Sequence, residues 1–185
     1  MNIPNSLTLL RIALIPCFVV AFWMPQPLTN LVAAGIFAFA AITDWLDGYL
    51  ARRLGQTSPL GAFLDPVADK LIVAVALVLL VQRDPHVHIA LPVAVIIGRE
   101  ITVSALREWM AELGARAKVA VSGLGKVKTT AQMIALVLMI ARESWLGLPA
   151  YEIGVCALYV AAVLTLWSML LYLKAAWPTL MDGRG

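Results

Sequence analysis

Four aspartates sit where aspartates are costly. Asp44 and Asp47 lie in Asp44-Trp45-Leu46-Asp47-Gly48-Tyr49-Leu50-Ala51-Arg52, at the end of one apolar run. Asp65 and Asp69 lie in Gly61-Ala62-Phe63-Leu64-Asp65-Pro66-Val67-Ala68-Asp69-Lys70, at the opening of the next. Ionisable groups inside apolar segments are rare and tend to mark function. At about 100° per residue, Asp44, Asp47, Gly48, Ala51 and Arg52 share one helical face. Gly61, Asp65 and Asp69 are spaced by four and share another. The short connection from Arg53 to Leu60 predicts two antiparallel neighbouring helices, with the four carboxylates converging at one end. Mutual repulsion and lost hydration make such a cluster untenable without counter-charge. Arg52 and Lys70 are too few to supply it. Divalent cations can, and carboxylate oxygens suit Mg²⁺ or Mn²⁺ rather than zinc. The small residues Gly48, Ala51 and Gly61 leave room for a ligand or a neighbouring helix. Two cations held by carboxylates are a known solution for phosphoryl transfer. The plainer alternative is a set of acids paired with basic residues to hold helices together.

The elements that must position these residues read as membrane helices. Of 185 residues, 62% are hydrophobic, and the mean hydropathy is +0.88. An ordinary soluble domain is about 45–50% apolar. Apolar runs fall near 7–24, 29–50, 64–82, 87–106, 129–141 and 150–173, separated by turn and breaker clusters. A span needs about 20 mostly apolar residues. The expectation is therefore all-α: a polytopic membrane protein with six transmembrane helices and one domain, 1–185. Six spans place both termini on one side. With the termini cytoplasmic, only Arg83 and Arg142 of the fourteen basic residues fall in loops on the far side. That asymmetry follows the positive-inside rule. The net charge of +3 then reflects topology, and no nucleic-acid partner is expected. Asn5, Thr8 and Arg11 interrupt the first run, so an N-terminal interfacial amphipathic segment is an alternative there. No cleavable signal peptide is evident. Cys17 and Cys156 sit in apolar runs and read as small hydrophobes.

Written as a pattern, the acidic stretch is D-x2-D-G-x2-A-R-x8-G-x3-D-x3-D. It resembles the signature of the CDP-alcohol phosphotransferase family, with all eight fixed positions present across 26 residues. The six-span layout resembles that family along the whole chain. The resemblance implies transfer of a phosphatidyl group from a CDP-lipid to an alcohol, with CMP released. It implies two divalent ions, Mg²⁺ or Mn²⁺. Asp44, Asp47 and Asp65 would bind the first. Asp65 and Asp69 would help hold the second, and Asp69 would be the general base. Asn5, Thr8, Gly48, Arg52, Ser58 and Gly61 would contact the CDP-lipid. The resemblance also implies a homodimer in a bacterial cytoplasmic (inner) membrane, its active site facing the cytoplasm.

Arg99 and Arg107 are eight residues apart and lie on nearly one helical face; Lys126 and Lys128 precede the fifth span. Four cations beside an acid cluster suggest an acceptor that itself carries phosphate. The plainer reading is loop charge of the positive-inside kind, and it fits Arg116 and Lys118. The Arg-Glu…Leu-Arg-Glu and Gly-Lys-Val-Lys-Thr stretches resemble the branch of the family acting on CDP-diacylglycerol and sn-glycerol 3-phosphate. Another acceptor, such as inositol phosphate or serine, is the alternative within the family. A cation transporter is the alternative outside it. Transport leaves the clustering of the acids at one membrane face unexplained, and likewise the Gly and Ala spacing. His86 and His88 fall far from the acids and read as solvated.

Overall fold

The computed structural model describes residues 3–25, 29–54, 59–114, 123–142 and 149–181. Six helices run through them: α1 (Ile3–Trp23), α2 (Thr29–Leu54), α3 (Pro59–Arg83), α4 (Val87–Glu112), α5 (Gly123–Ala141) and α6 (Ala150–Met181). No strand occurs among the described residues. The helices break where Pro and Gly clusters predict. Gly114 ends α4 at a positive φ of 69°, a conformation that suits a residue without Cβ.

Among the described residues the fold is all-α, as expected, and three helices are long and apolar enough to cross a membrane: Asn5–Trp23, Val87–Glu112 and Ala150–Pro178. Two others contribute shorter apolar stretches, Thr29–Asp44 and Val127–Ala141. The sixth, α3, carries Asp65, Asp69 and Lys70 in its first half. The helices that fall short of the six-span expectation, α2, α3 and α5, all contribute polar residues to the cavity described below. The interfacial alternative for α1 gains no support. Asn5, Thr8 and Arg11, which suggested it, are buried against protein.

The interior is mainly apolar but admits a set of polar and charged side chains, while many large apolar side chains face outward. Buried polar residues include Thr8, Arg11, Asp47, Arg99, Lys128, Gln132, Thr165 and Ser168. Exposed apolar residues include Val20, Phe39, Ile42, Leu91, Ile101, Val163, Trp167 and Leu170. Cys17 and Cys156 are free and lie on this outer surface. In lipid, helix association draws on close packing more than on removing apolar surface from water. The core shows that packing: Phe18 meets Phe22 edge-on at 6.0 Å and Phe37 at 5.9 Å. The α5–α6 pair is the most extensive helix contact. Near the start of α6, Gly154 lies so close to the end of α5 that a Cβ would stand 2.7 Å from Met139 Cγ and 3.1 Å from the Ala135 carbonyl oxygen.

The end of the bundle away from the acids is tied by polar contacts. Arg83 donates to Asn30 Oδ1 at 2.8 Å and to the Phe22 carbonyl at 3.1 Å, and its guanidinium covers the Phe22 ring at 3.9 Å. Tyr151 donates to Asp84, which also pairs with His86. The Tyr151 hydroxyl and then His86 hold the Asp84 carboxyl below its ordinary range. His86 and His88 are exposed, as expected.

The α5–α6 approach predicts that Gly154→Leu lowers stability by about 1–3 kcal/mol through overpacking. Gly35, with nothing within 4 Å of its would-be Cβ, should accept Ala without loss. Thermal melting of both variants in detergent reads the difference.

Candidate active site

The acid cluster is assembled by α1. Thr8 and Arg11 are three residues apart on its inward face. Arg11 is fully buried, at 0% exposure. Its NH1 stands 2.6 Å from Asp44 Oδ1, and its NH2 donates to Asp47 Oδ2. One turn earlier, the Thr8 hydroxyl donates to Asp65 Oδ1 at 2.5 Å. A single face of α1 therefore grips both acids of α2 through a guanidinium and Asp65 of α3 through a hydroxyl.

This corrects the sequence expectation in two ways. First, α2 and α3 barely touch; each packs more heavily on α1. Two acidic helices repel, and α1 gives each a reason to lean on it instead, the Arg11 guanidinium for α2 and the Thr8 hydroxyl for α3. Second, the four carboxylates do not all converge. Asp44, Asp65 and Asp69 line one cavity, whereas Asp47 is 3% exposed and turned to Arg11. Among the described residues, no three acidic, His or Cys side chains close on a single point. The donor set nevertheless fits a hard divalent cation in kind. It is all carboxylate oxygen, and Asp69 has neither hydrogen bond nor ion pair among the described residues.

The cavity measures about 770 Å³, within the usual range for a small-molecule site. Its opposite wall carries Arg99, Arg107 and Lys128. Arg99 NH1 donates to Glu100 Oε1 at 3.1 Å and its NH2 to Ser168 Oγ at 2.9 Å. Lys128 is 3% exposed and its ammonium donates to the same Glu100 oxygen. Arg107 donates to the Tyr172 hydroxyl at 2.8 Å. Both guanidiniums stand over the Tyr172 ring, at 5.6 Å for Arg99 and 5.1 Å for Arg107. The expected shared face of these two arginines is therefore the one that meets Tyr172. Lys70 turns from the acids and donates to Ser104 at 2.5 Å.

Asn5 and Gly61 are buried at the same end. Gly48 and Arg52 fall on α2 and Lys126 on α5, but their side chains lie outside the described residues, and Ser58 lies outside them altogether. Sequence reasoning missed Arg11, Glu100, Ser104 and Tyr172. Arg11 had a signal: a cation inside an apolar run, three residues past Thr8. Glu100 had a weaker one, adjacent to Arg99. Tyr172, 65 residues from Arg107, had none.

A family model described as CDP-alcohol phosphatidyltransferase matches residues 1–167. The chain is 57% identical to a CDP-diacylglycerol–glycerol-3-phosphate 3-phosphatidyltransferase of Pseudomonas fluorescens, over 100% of this chain and 95% of that protein. It is 58% identical to the protein of that name from Pectobacterium atrosepticum and 56% to that from Salmonella paratyphi A, over 98% of each chain in both comparisons. With the match spanning nearly the whole bundle, the chain belongs to the CDP-alcohol phosphatidyltransferase family.

Proposed function

We propose that this protein transfers the phosphatidyl group of CDP-diacylglycerol to sn-glycerol 3-phosphate, giving phosphatidylglycerol phosphate and CMP. One observation carries the reading: a single cavity has carboxylates on one wall and Arg99, Arg107 and Lys128 on the other. An acceptor that brings a phosphate of its own needs cations placed beside, but apart from, the reacting centre. The names of the bacterial relatives support the same acceptor.

In this reading Asp44, Asp47, Asp65 and Asp69 would hold two divalent cations, Mg²⁺ or Mn²⁺. Bound there, the ions would supply electrostatic stabilisation of charge on the transferring phosphoryl group and on departing CMP. The chain's own groups do the rest. Arg99, Arg107, Lys126 and Lys128 bind the acceptor phosphate, with Tyr172 orienting the two arginines. Asp69 accepts the proton of the acceptor's C1 hydroxyl. That oxygen forms a new bond to the phosphorus bearing diacylglycerol, and the bond to the CMP oxygen breaks. Asn5, Thr8, Gly48, Arg52, Ser58 and Gly61 position the CDP headgroup. The acyl chains stay in the bilayer beside the apolar outer surface. The active site faces the cytoplasm of a bacterial inner membrane, and both termini lie on that side, on the strength of the loop-charge asymmetry. The family resemblance favours a homodimer.

Purified protein with Mg²⁺ and CDP-diacylglycerol should release CMP with glycerol 3-phosphate, not with serine or inositol phosphate, and EDTA should abolish release. Release with a different alcohol would keep the acid site and overturn the roles given to Arg99, Arg107, Lys126 and Lys128. Asp69→Asn should lower kcat by about 10²–10⁴-fold while the protein still binds CDP-diacylglycerol; full activity would remove Asp69 as the base. Arg107→Ala should raise the KM for glycerol 3-phosphate by about 10–100-fold, the loss of a charge-assisted hydrogen bond, and leave that for CDP-diacylglycerol nearly unchanged. Equal effects on both would count against the acceptor assignment.

A further inference from the structure

Arg11 makes two unequal ion pairs. Asp47, its NH2 partner, has a side chain 4% exposed. Asp44, its NH1 partner, has a side chain 37% exposed and opens on the cavity. The Nε of Arg11 has no hydrogen-bond partner among the described residues. A fully buried guanidinium with donors to spare is costly unless its charge is matched. Four acids beside one buried arginine are equally untenable unless some further charge arrives.

We propose that Arg11 is the resident counter-ion of the acid cluster. Its guanidinium holds Asp47 by one carboxylate oxygen and Asp44 by another, and it gives up Asp44 when a divalent cation binds. The fork geometry suits this double duty. One nitrogen stays on Asp47 while the other exchanges, which the single ammonium of a lysine cannot do. Arg11 acts through the carboxylates and touches no reacting atom, so it is a positioning residue. The inference rests on the divalent-cation reading of Asp44, Asp47, Asp65 and Asp69.

The test is thermal melting of the full-length protein in detergent, in EDTA and in Mn²⁺, for the wild type, Arg11→Met and Arg11→Lys. Direct Mn²⁺ binding is followed in parallel by electron paramagnetic resonance. In EDTA the Arg11→Met variant should melt about 10 °C lower than wild type, as expected for a buried charge pair broken on one side in a chain of this size. Arg11→Lys should fall between the two. Mn²⁺ should restore much of the loss, so the metal-induced rise should be at least about twice that of wild type, the extra rise reflecting preferential binding to the folded state. A merely structural arginine would lower both melting points equally, and equal metal-induced rises in all three proteins would overturn the inference. If Arg11→Met does not fold, the Arg11→Lys comparison decides alone. A wild type that binds no Mn²⁺ would overturn the cation reading itself.

Discussion

Carboxylates within an apolar medium have to be matched in charge, and the rest of this structure follows from how that is done. Arg11 pairs with Asp44 and Asp47, and Thr8 bonds to Asp65. These contacts draw α2 and α3 onto α1 and leave the space between α3 and α4 as the cavity. The same rule governs the opposite wall. Lys128 and Arg99 are buried, and Glu100 answers both with one carboxylate oxygen. The cavity is therefore two partly matched walls facing each other, one left in excess of negative charge and the other of positive, and on the acidic wall stands Asp69, unpaired among the described residues.

The pairing also separates the tasks of the helices. The α5–α6 contact, tight at Gly154, is steric and holds the frame. The Arg83, Asp84 and Tyr151 contacts close the end away from the site. Neither asks anything of the acids. Chemistry is confined to the end where α1, α3 and α5 begin and α2, α4 and α6 finish, which is also where the helices run past their apolar stretches.

Much of this was legible in the chain. Hydrophobic runs and Pro or Gly breakers located six helices, with ends up to eight residues short where the helices continue past their apolar stretches, because lipid demands long apolar segments whose backbone bonds are satisfied internally. The spacing of Asp44, Asp47, Asp65 and Asp69 announced a site, because acids at helical intervals in apolar sequence are costly and add nothing to packing. The shared face of Arg99 and Arg107 followed from their separation of eight. What stayed hidden was tertiary. A short connection suggested that α2 and α3 pack together, yet loop length sets only proximity along the chain, not which helix intervenes. Arg11 looked like an interruption because periodicity cannot tell an inward-facing cation from one at an interface. Tyr172 lies so far from Arg107 in sequence that no local pattern could connect them.

The placement of Arg11 bears on how the chain enters the bilayer. It is synthesised before the acids that neutralise it, on a helix otherwise apolar enough to insert alone. An arginine near the middle of an inserting helix costs about 2.5–3.5 kcal/mol, and that cost stands until Asp44 and Asp47 emerge. Helices α1 and α2 pack extensively against each other. The first two helices are thus coupled during biogenesis, entering most favourably as a charge-compensated hairpin, and the earliest stage of assembly already contains half of the acid cluster.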